Sequence, residues 1–203
     1  MRVLVVGSHG NMGSRYVSIL KYLGHECLHF DHPWDASLGQ VIESSEPDAI
    51  IVATPTQQHT MNLTEIAQAT SCPVLCEKPI ATRNIDDLDM DNLYMVNQYQ
   101  YLRVVQNPGT ITGETTYNNF SSGKDGRAWD CIQLIHLAKG VIDIDGTSPH
   151  WKLTLNGHGV GKYEIDDIYV KMIHDFLGPK SYCWDLDTAK KAHRKAEAYI
   201  ARK

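Results

Sequence analysis

An α/β fold, with a parallel sheet wound with helices and then a smaller α+β part, is predicted by three observations. Short continuous apolar runs alternate with amphipathic stretches through the first half of the chain, the pattern of βαβ units. Glycines cluster at the turn from the first run into the first amphipathic stretch. Beyond Pro79 the alternation gives way to threonine- and tyrosine-rich segments of antiparallel character.

Taken in order, Val3 to Val6 is an uninterrupted apolar run, as expected of a parallel strand covered on both faces. Met12, Tyr16, Ile19, Leu20 and Leu23 recur at helical spacing, and Gly24 stands where a helix stops. Cys27 to Phe30 reads as a second strand and Leu38 to Ser45 as a short helix ending near Pro47. Ala49 to Ala53 is a third strand, Gln57 to Thr70 a helix, and Val74 to Cys76 a fourth strand. Further on, Leu93 to Tyr101 and Thr110 to Phe120 read as strands, 127–139 as a helix and Trp151 to Leu155 as a strand before the Asn156-Gly157 turn signal. Ile165, Ile168, Tyr169, Met172, Ile173, Phe176 and Leu177 form a helical stripe closed by Gly178-Pro179, with Asp166 and Asp167 expected on its polar side near its start. A last helix spans 187–201. The expected division is 1–95 and 96–203, with the last helix able to pack back on the first domain.

Composition narrows the function classes. At 203 residues the chain is long enough for a core without disulfide or metal staples, and 42% hydrophobic with 21% charged residues excludes a disordered chain. A net charge of −5 argues against nucleic acid or anionic lipid as partner. No apolar run approaches a membrane span, and the N-terminus passes straight into a strand pattern, so a cytoplasmic protein is expected. Five scattered cysteines read as reduced thiols, and no metal site is expected: Cys72 and Cys76 lack a second pair, and His150 and His158 read as solvated.

The chemistry begins at Gly7-Ser8-His9-Gly10-Asn11-Met12-Gly13, between the first strand and first helix. Glycines there permit a tight turn, close backbone approach to a pyrophosphate and close helix–strand packing, and the helix N-terminus behind them offers free N–H groups. Asp31 ends the second strand, where a carboxylate accepts the ribose hydroxyls of adenosine and repels a 2′-phosphate. The combination points to a Rossmann-type domain binding NAD. His32 beside Asp31 softens the preference and leaves NADP as the alternative.

Three segments resemble the glucose–fructose oxidoreductase/inositol dehydrogenase (Gfo/Idh/MocA) family. They are the loop through Gly10-Asn11-Met12-Gly13-Ser14-Arg15-Tyr16, then Ala53-Thr54-Pro55 with His59, and then Glu77-Lys78-Pro79 at the end of the fourth strand. The likeness covers about the first half of the chain. It implies that Ala53, Thr54, Pro55 and His59 pass the nicotinamide end, with Glu77, Lys78 and Pro79 nearby. Independently, Lys78 lies at the carboxyl edge of a parallel sheet, the edge where open α/β folds bind ligands. There it can hydrogen-bond a substrate hydroxyl and assist proton transfer.

The family's second catalytic segment has the form Asp-x-Gly-x-His-x-x-Asp, and its counterpart here is 129–136. Gln133 stands in place of the histidine and His136 in place of the last aspartate, and the family's glycine is missing. Glutamine cannot act as a base but can anchor a sugar hydroxyl, while imidazole can carry a proton near neutrality. Trp129 is the one tryptophan suited to a sugar platform, and Trp34, Trp151 and Trp184 read as packing residues.

The reading is an NAD(P)-dependent oxidoreductase acting on a carbinol or keto carbon of a sugar, polyol or sugar nucleotide. The competing readings are a dinucleotide-binding sensor or assembly protein that has lost the chemistry, and a reductase of a cyclic imine or tetrapyrrole. A homo-oligomer, most simply a dimer, is expected, because the second part is too small to cover both faces of a sheet.

Overall fold

A computed structural model describes residues 1–31, 36–81, 85–101, 142–145, 152–155, 158–159 and 162–200. The candidate residues Gln133 and His136 lie outside the described residues, as do His32, Trp34, Trp129, Trp151, His150, the 110–120 strand and the 127–139 helix. The described chain divides into two units, one formed by Met1–Val96 with Ile173–His193, the other by Asn97–Met172 with Arg194–Lys203.

The first unit begins with β1 (Arg2–Val6), α1 (Asn11–Tyr22), β2 (Glu26–Phe30), α2 (Leu38–Ser45), β3 (Ala49–Val52), α3 (Thr56–Ala69), β4 (Val74–Cys76) and β5 (Leu93–Met95). These five strands run parallel in the order β2-β1-β3-β4-β5. Every residue of β3 and β4 is buried, which is why their sequences are continuously apolar. β2 lies at the edge, and its mixed Glu26-Cys27-Leu28-His29-Phe30 sequence is correspondingly part-exposed.

Helix ends follow local chemistry. Ser37 caps α2 by accepting from the Gln40 backbone, and the Gln40 side chain returns the bond to Ser37, a reciprocal box worth about 1 kcal/mol. At the end of α1, Gly24 N–H donates to the Lys21 carbonyl and His25 N–H to the Leu20 carbonyl, consuming orphan acceptors.

The strand expected over 93–101 is corrected: pairing stops at Met95, where the partner β4 ends at Cys76, and the chain turns into a 3₁₀ segment over Gln98–Tyr101. The first unit's sheet also gains a strand that periodicity did not reveal, β9 (Trp184–Asp185), antiparallel to β5. Trp184 is buried, in keeping with a packing residue.

In the second unit, β6 (Ile142–Asp145), β7 (Lys152–Leu155) and β8 (His158–Gly159) form an antiparallel sheet. Two further helices are α4 (Lys162–Phe176) and α5 (Leu186–Ile200). Because α4 starts at Lys162, Asp166 and Asp167 do not begin it. Asp167 instead pairs with Lys171 one turn on, at 2.5 Å and largely exposed.

Among the described residues no helix is long and apolar enough to cross a membrane, and no group of His, Cys, Asp and Glu is arranged to hold a metal ion. Cys27, Cys72 and Cys76 are free thiols.

Candidate functional site

The strand order reverses direction of growth at β1: β2 lies on one side and β3 on the other. Such a switch point opens a crevice at the carboxyl ends of the strands. A cavity of about 210 Å³ occupies it, lined by Gly7 and Gly10 after β1, Phe30 and Asp31 at the end of β2, and Ala53, Thr54, Pro55 and Gln58 after β3.

The glycine loop is shaped by contacts that exclude a side chain. Gly7 has φ +87°, and a Cβ there would stand 2.8 Å from the Thr54 backbone nitrogen. A Cβ on Gly13 would lie 1.9 Å from the Gly7 carbonyl oxygen, so the first turn of α1 can sit against the loop only with glycine at that position. Gly10 is the N-cap of α1 and supplies no side-chain cap, and the first turn holds no acidic residue. The backbone N–H groups of Asn11, Met12 and Gly13, without intrahelical acceptors, are therefore left for an anion.

Asp31 closes the other side. Its carboxylate accepts from the Ser8 hydroxyl, from the His9 backbone N–H at 3.1 Å, and faces His9 Nδ1 at 2.8 Å. Burial opposes its ionisation, but the Ser8 and His9 hydrogen bonds and the His9 charge outweigh burial and hold its pKa below the ordinary carboxylate value. These features fit a dinucleotide: a backbone cradle with helix N–H groups for the pyrophosphate, and an ionised acceptor on the adjacent strand for the ribose.

His59 lies elsewhere than at the cavity wall. It is buried on the inner face of α3, with Nε2 2.8 Å from the Thr54 carbonyl oxygen and Nδ1 2.9 Å from that of Pro79. It therefore sits between the segment after β3 and the segment after β4, its neutral ring donating to one of the two carbonyls. Burial pushes its pKa below the ordinary value, against the pull of both carbonyls and of the Glu77 charge. Asn62 on the same helix donates to the Thr54 hydroxyl at 2.9 Å, fixing Thr54 from beneath.

Glu77, Lys78 and Pro79 follow β4, and the Lys78–Pro79 peptide is cis. The Glu77 side chain turns inward, accepting from the Tyr16 hydroxyl of α1 at 2.5 Å and from the Lys78 backbone N–H at 3.0 Å. Part of Lys78 reaches solvent, yet its surroundings are dense enough that burial lowers its pKa to about 8, with the Glu77 charge opposing the shift.

Of the sequence-derived candidates, Gly7, Gly10, Asp31, Ala53, Thr54 and Pro55 share the cavity. Ser8 and His9 reach it through Asp31, while His59 and Glu77 stand behind it. Sequence reasoning passed over Phe30, Gln58 and Asn62 as site residues, and it placed Tyr16 in the helical stripe and the family-like loop without naming a hydrogen bond for it. Helical spacing reports the face of a residue but says nothing of the partner at the tip of its side chain. In the second unit, fully buried Asn97 has neither amide atom hydrogen-bonded among the described residues, a costly state that marks it as a polar position to watch.

Comparison with known proteins agrees with this geometry. Residues 24–94 match the family model described as oxidoreductase family, NAD-binding Rossmann fold. The match takes in Asp31, Thr54, His59 and Glu77-Lys78-Pro79, with the glycine loop just before it. Among curated proteins, none matches the chain. Among solved structures, the WlbA (WbpB) dehydrogenase from Thermus thermophilus, in complex with NAD and UDP-GlcNAcA, superposes with a TM-score of 0.67 at 14% identity. That alignment covers 98% of this chain and 94% of the other. Myo-inositol 2-dehydrogenase from Lactobacillus plantarum gives 0.63 at 14% identity, covering 98% and 95%. Scyllo-inositol dehydrogenase from Lactobacillus casei gives 0.61 at 11% identity, covering 99% and 95%. At these identities the superpositions speak to the fold. Over residues 24–94 the chain matches the model of the Gfo/Idh/MocA oxidoreductase family, described as an NAD-binding Rossmann fold, and the strand order and the crevice agree with that match.

Proposed function

We propose that the protein is an NAD-dependent dehydrogenase that moves a hydride between nicotinamide and a carbinol or keto carbon of a sugar, polyol or sugar nucleotide. One observation chiefly supports this reading: Gly7, Asp31, Thr54 and Lys78 all follow the carboxyl ends of neighbouring parallel strands, at a single sheet edge. The class of substrate is supported by the superposed dehydrogenases, which act on inositols or are seen with UDP-GlcNAcA.

Bound nicotinamide supplies or accepts the hydride. The residues of this chain bind and orient around it. The first turn of α1 holds the pyrophosphate by backbone N–H groups, and Asp31 takes the adenosine ribose. The Lys78 ammonium donates a hydrogen bond to the reacting oxygen and gives or takes its proton. A pKa of about 8 suits that exchange near neutral pH. Gln133 as a hydrogen-bond anchor and His136 as second proton carrier complete the proposal, on the sequence resemblance alone.

A panel of polyols and sugar nucleotides with NAD tests it. Lys78→Ala should cut turnover by about 10²- to 10⁴-fold while leaving NADH affinity near the parent value. Full activity of Lys78→Ala on a substrate the parent oxidises overturns the assignment. Gln133, where the family carries histidine, favours a second reading, a cofactor-binding sensor. Its outcome is tight NADH binding with no turnover across the panel.

A further inference from the structure

We propose that Tyr16 is a positioning residue for Lys78, acting through the Glu77 carboxylate. Its catalytic meaning rests on the reading above, but the linkage itself stands on geometry. Tyr16 lies on α1, one turn beyond the glycine loop, and is completely buried. Its hydroxyl donates to Glu77 Oε1, and the Lys78 backbone N–H donates to Glu77 Oε2. Both oxygens of a buried carboxylate are thus supplied with donors. One of the two comes from another element of the fold.

The Glu77 carboxylate acts on its neighbours. Burial lowers the Lys78 pKa to about 8, and the Glu77 charge keeps it from falling further. His59, from α3, also feels Glu77: burial lowers its pKa and the carboxylate works against that. Cys76, on β4, is pushed upward, first by burial and then by Glu77. The Tyr16 hydroxyl is thus bonded to this carboxylate, and His59, Cys76 and Lys78 feel its charge. Tyr16 gives Glu77 a side-chain donor from α1. Removing its hydroxyl takes away the donor that fixes Glu77 Oε1, so the carboxylate can turn from the position in which its charge acts on Lys78.

Competitive acetylation of the nucleotide-free protein, read by peptide mass spectrometry from neutral to alkaline pH, measures the Lys78 midpoint without any turnover. Exposed Lys21 serves as the internal reference. Glu77→Gln should lower the Lys78 midpoint by roughly one unit or more, the scale of a lost opposite charge at close range. Tyr16→Phe, which keeps the ring and its packing, should move it the same way by less. In the double variant the Tyr16 effect should vanish, because its route runs through Glu77. The Lys21 midpoint should stay fixed throughout. An unchanged Lys78 midpoint in Tyr16→Phe, or an equal Tyr16 effect with Glu77 already replaced, overturns the inference. Should Tyr16→Phe fail to fold, an unchanged midpoint in Glu77→Gln overturns it alone. Because the labelling reads ionisation only, a fully active Lys78→Ala would defeat the catalytic reading and leave this result standing.

Discussion

Asp31 receives its donors from a single loop: the Ser8 hydroxyl, the His9 amide and the His9 ring all converge on one carboxylate. They keep it ionised and aimed, but they also use lone pairs that ribose hydroxyls need. A nucleotide must therefore displace at least one of them, and the exposed His9 ring is the cheapest to move. A 2′-phosphate brings further negative charge to the same oxygens. NADH should accordingly bind more tightly than NADPH, by about 10- to 100-fold if one charge-assisted bond worth roughly 1.5–3 kcal/mol decides the matter. Asp31→Ala should narrow the gap. Titration of the parent with both cofactors checks this, and equal affinities would refute it. Because the carboxyl pKa lies below the ordinary value, the preference should persist into mildly acidic solution.

At the scale of elements, His59 joins what β3 and β4 deliver. Its ring lies between the Thr54 and Pro79 carbonyls; the neutral imidazole donates its single N–H to one of them and packs against the other segment, so two loops that present candidate site residues meet at one side chain. Its folded-state pKa is lowered, so below the unfolded value of about 6.5 the unfolded chain binds the proton more readily. The stability it contributes is present above that pH and is lost as pH falls through it. Thermal melting from neutral to mildly acidic pH should show this step, and His59→Gln, which cannot titrate there, should remove it. The same substitution should cost about 1–3 kcal/mol at neutral pH, the range for disturbing a buried hydrogen-bonded group. A variant that melts like the parent at both pH values would contradict this role.

The elements readable from sequence are those whose signal is local. Val3 to Val6 and Val74 to Cys76 are apolar runs buried on both faces, and Pro47 marks the end of the helix over 38–45. The misread strand over 93–101 shows the limit. Val96 and Tyr101 extend the apolar, aromatic pattern of Leu93 and Met95, but a strand lasts only as long as its neighbour offers carbonyls, and β4 has three residues. β9, with two residues, carries no periodicity to find. Within the site, glycine spacing and Asp31 were legible because backbone geometry demands particular residue types there. The partners of Tyr16 and His59 were not, because each bond joins segments far apart in sequence.

At the scale of the molecule, the first unit is discontinuous in sequence. Residues 1–96 build its parallel sheet, and residues 173–193 complete it with β9 and with Ile173, Phe176, Ala189 and Ala192 in its core. Phe176 meets Tyr94 of β5 edge-on, with ring centroids 6.0 Å apart. The Lys190 ammonium donates to the Leu88 carbonyl at 2.7 Å. A fragment of residues 1–96 should therefore melt without cooperativity or at markedly lower temperature than the full chain, since it loses several buried apolar side chains worth about 1.5–3 kcal/mol each. Circular dichroism on the fragment, with limited proteolysis, reads the result. An equally stable fragment would show that the second segment is an accessory.

This arrangement has a further consequence during biosynthesis. When the ribosome has made β5, the strand that will cover its open edge is still untranslated, and it follows only after all of 97–172 has been made. At about 5–20 residues per second that interval is on the order of ten seconds. For that time the nascent chain carries an uncapped row of amide and carbonyl groups, a template for pairing with any other extended polypeptide nearby.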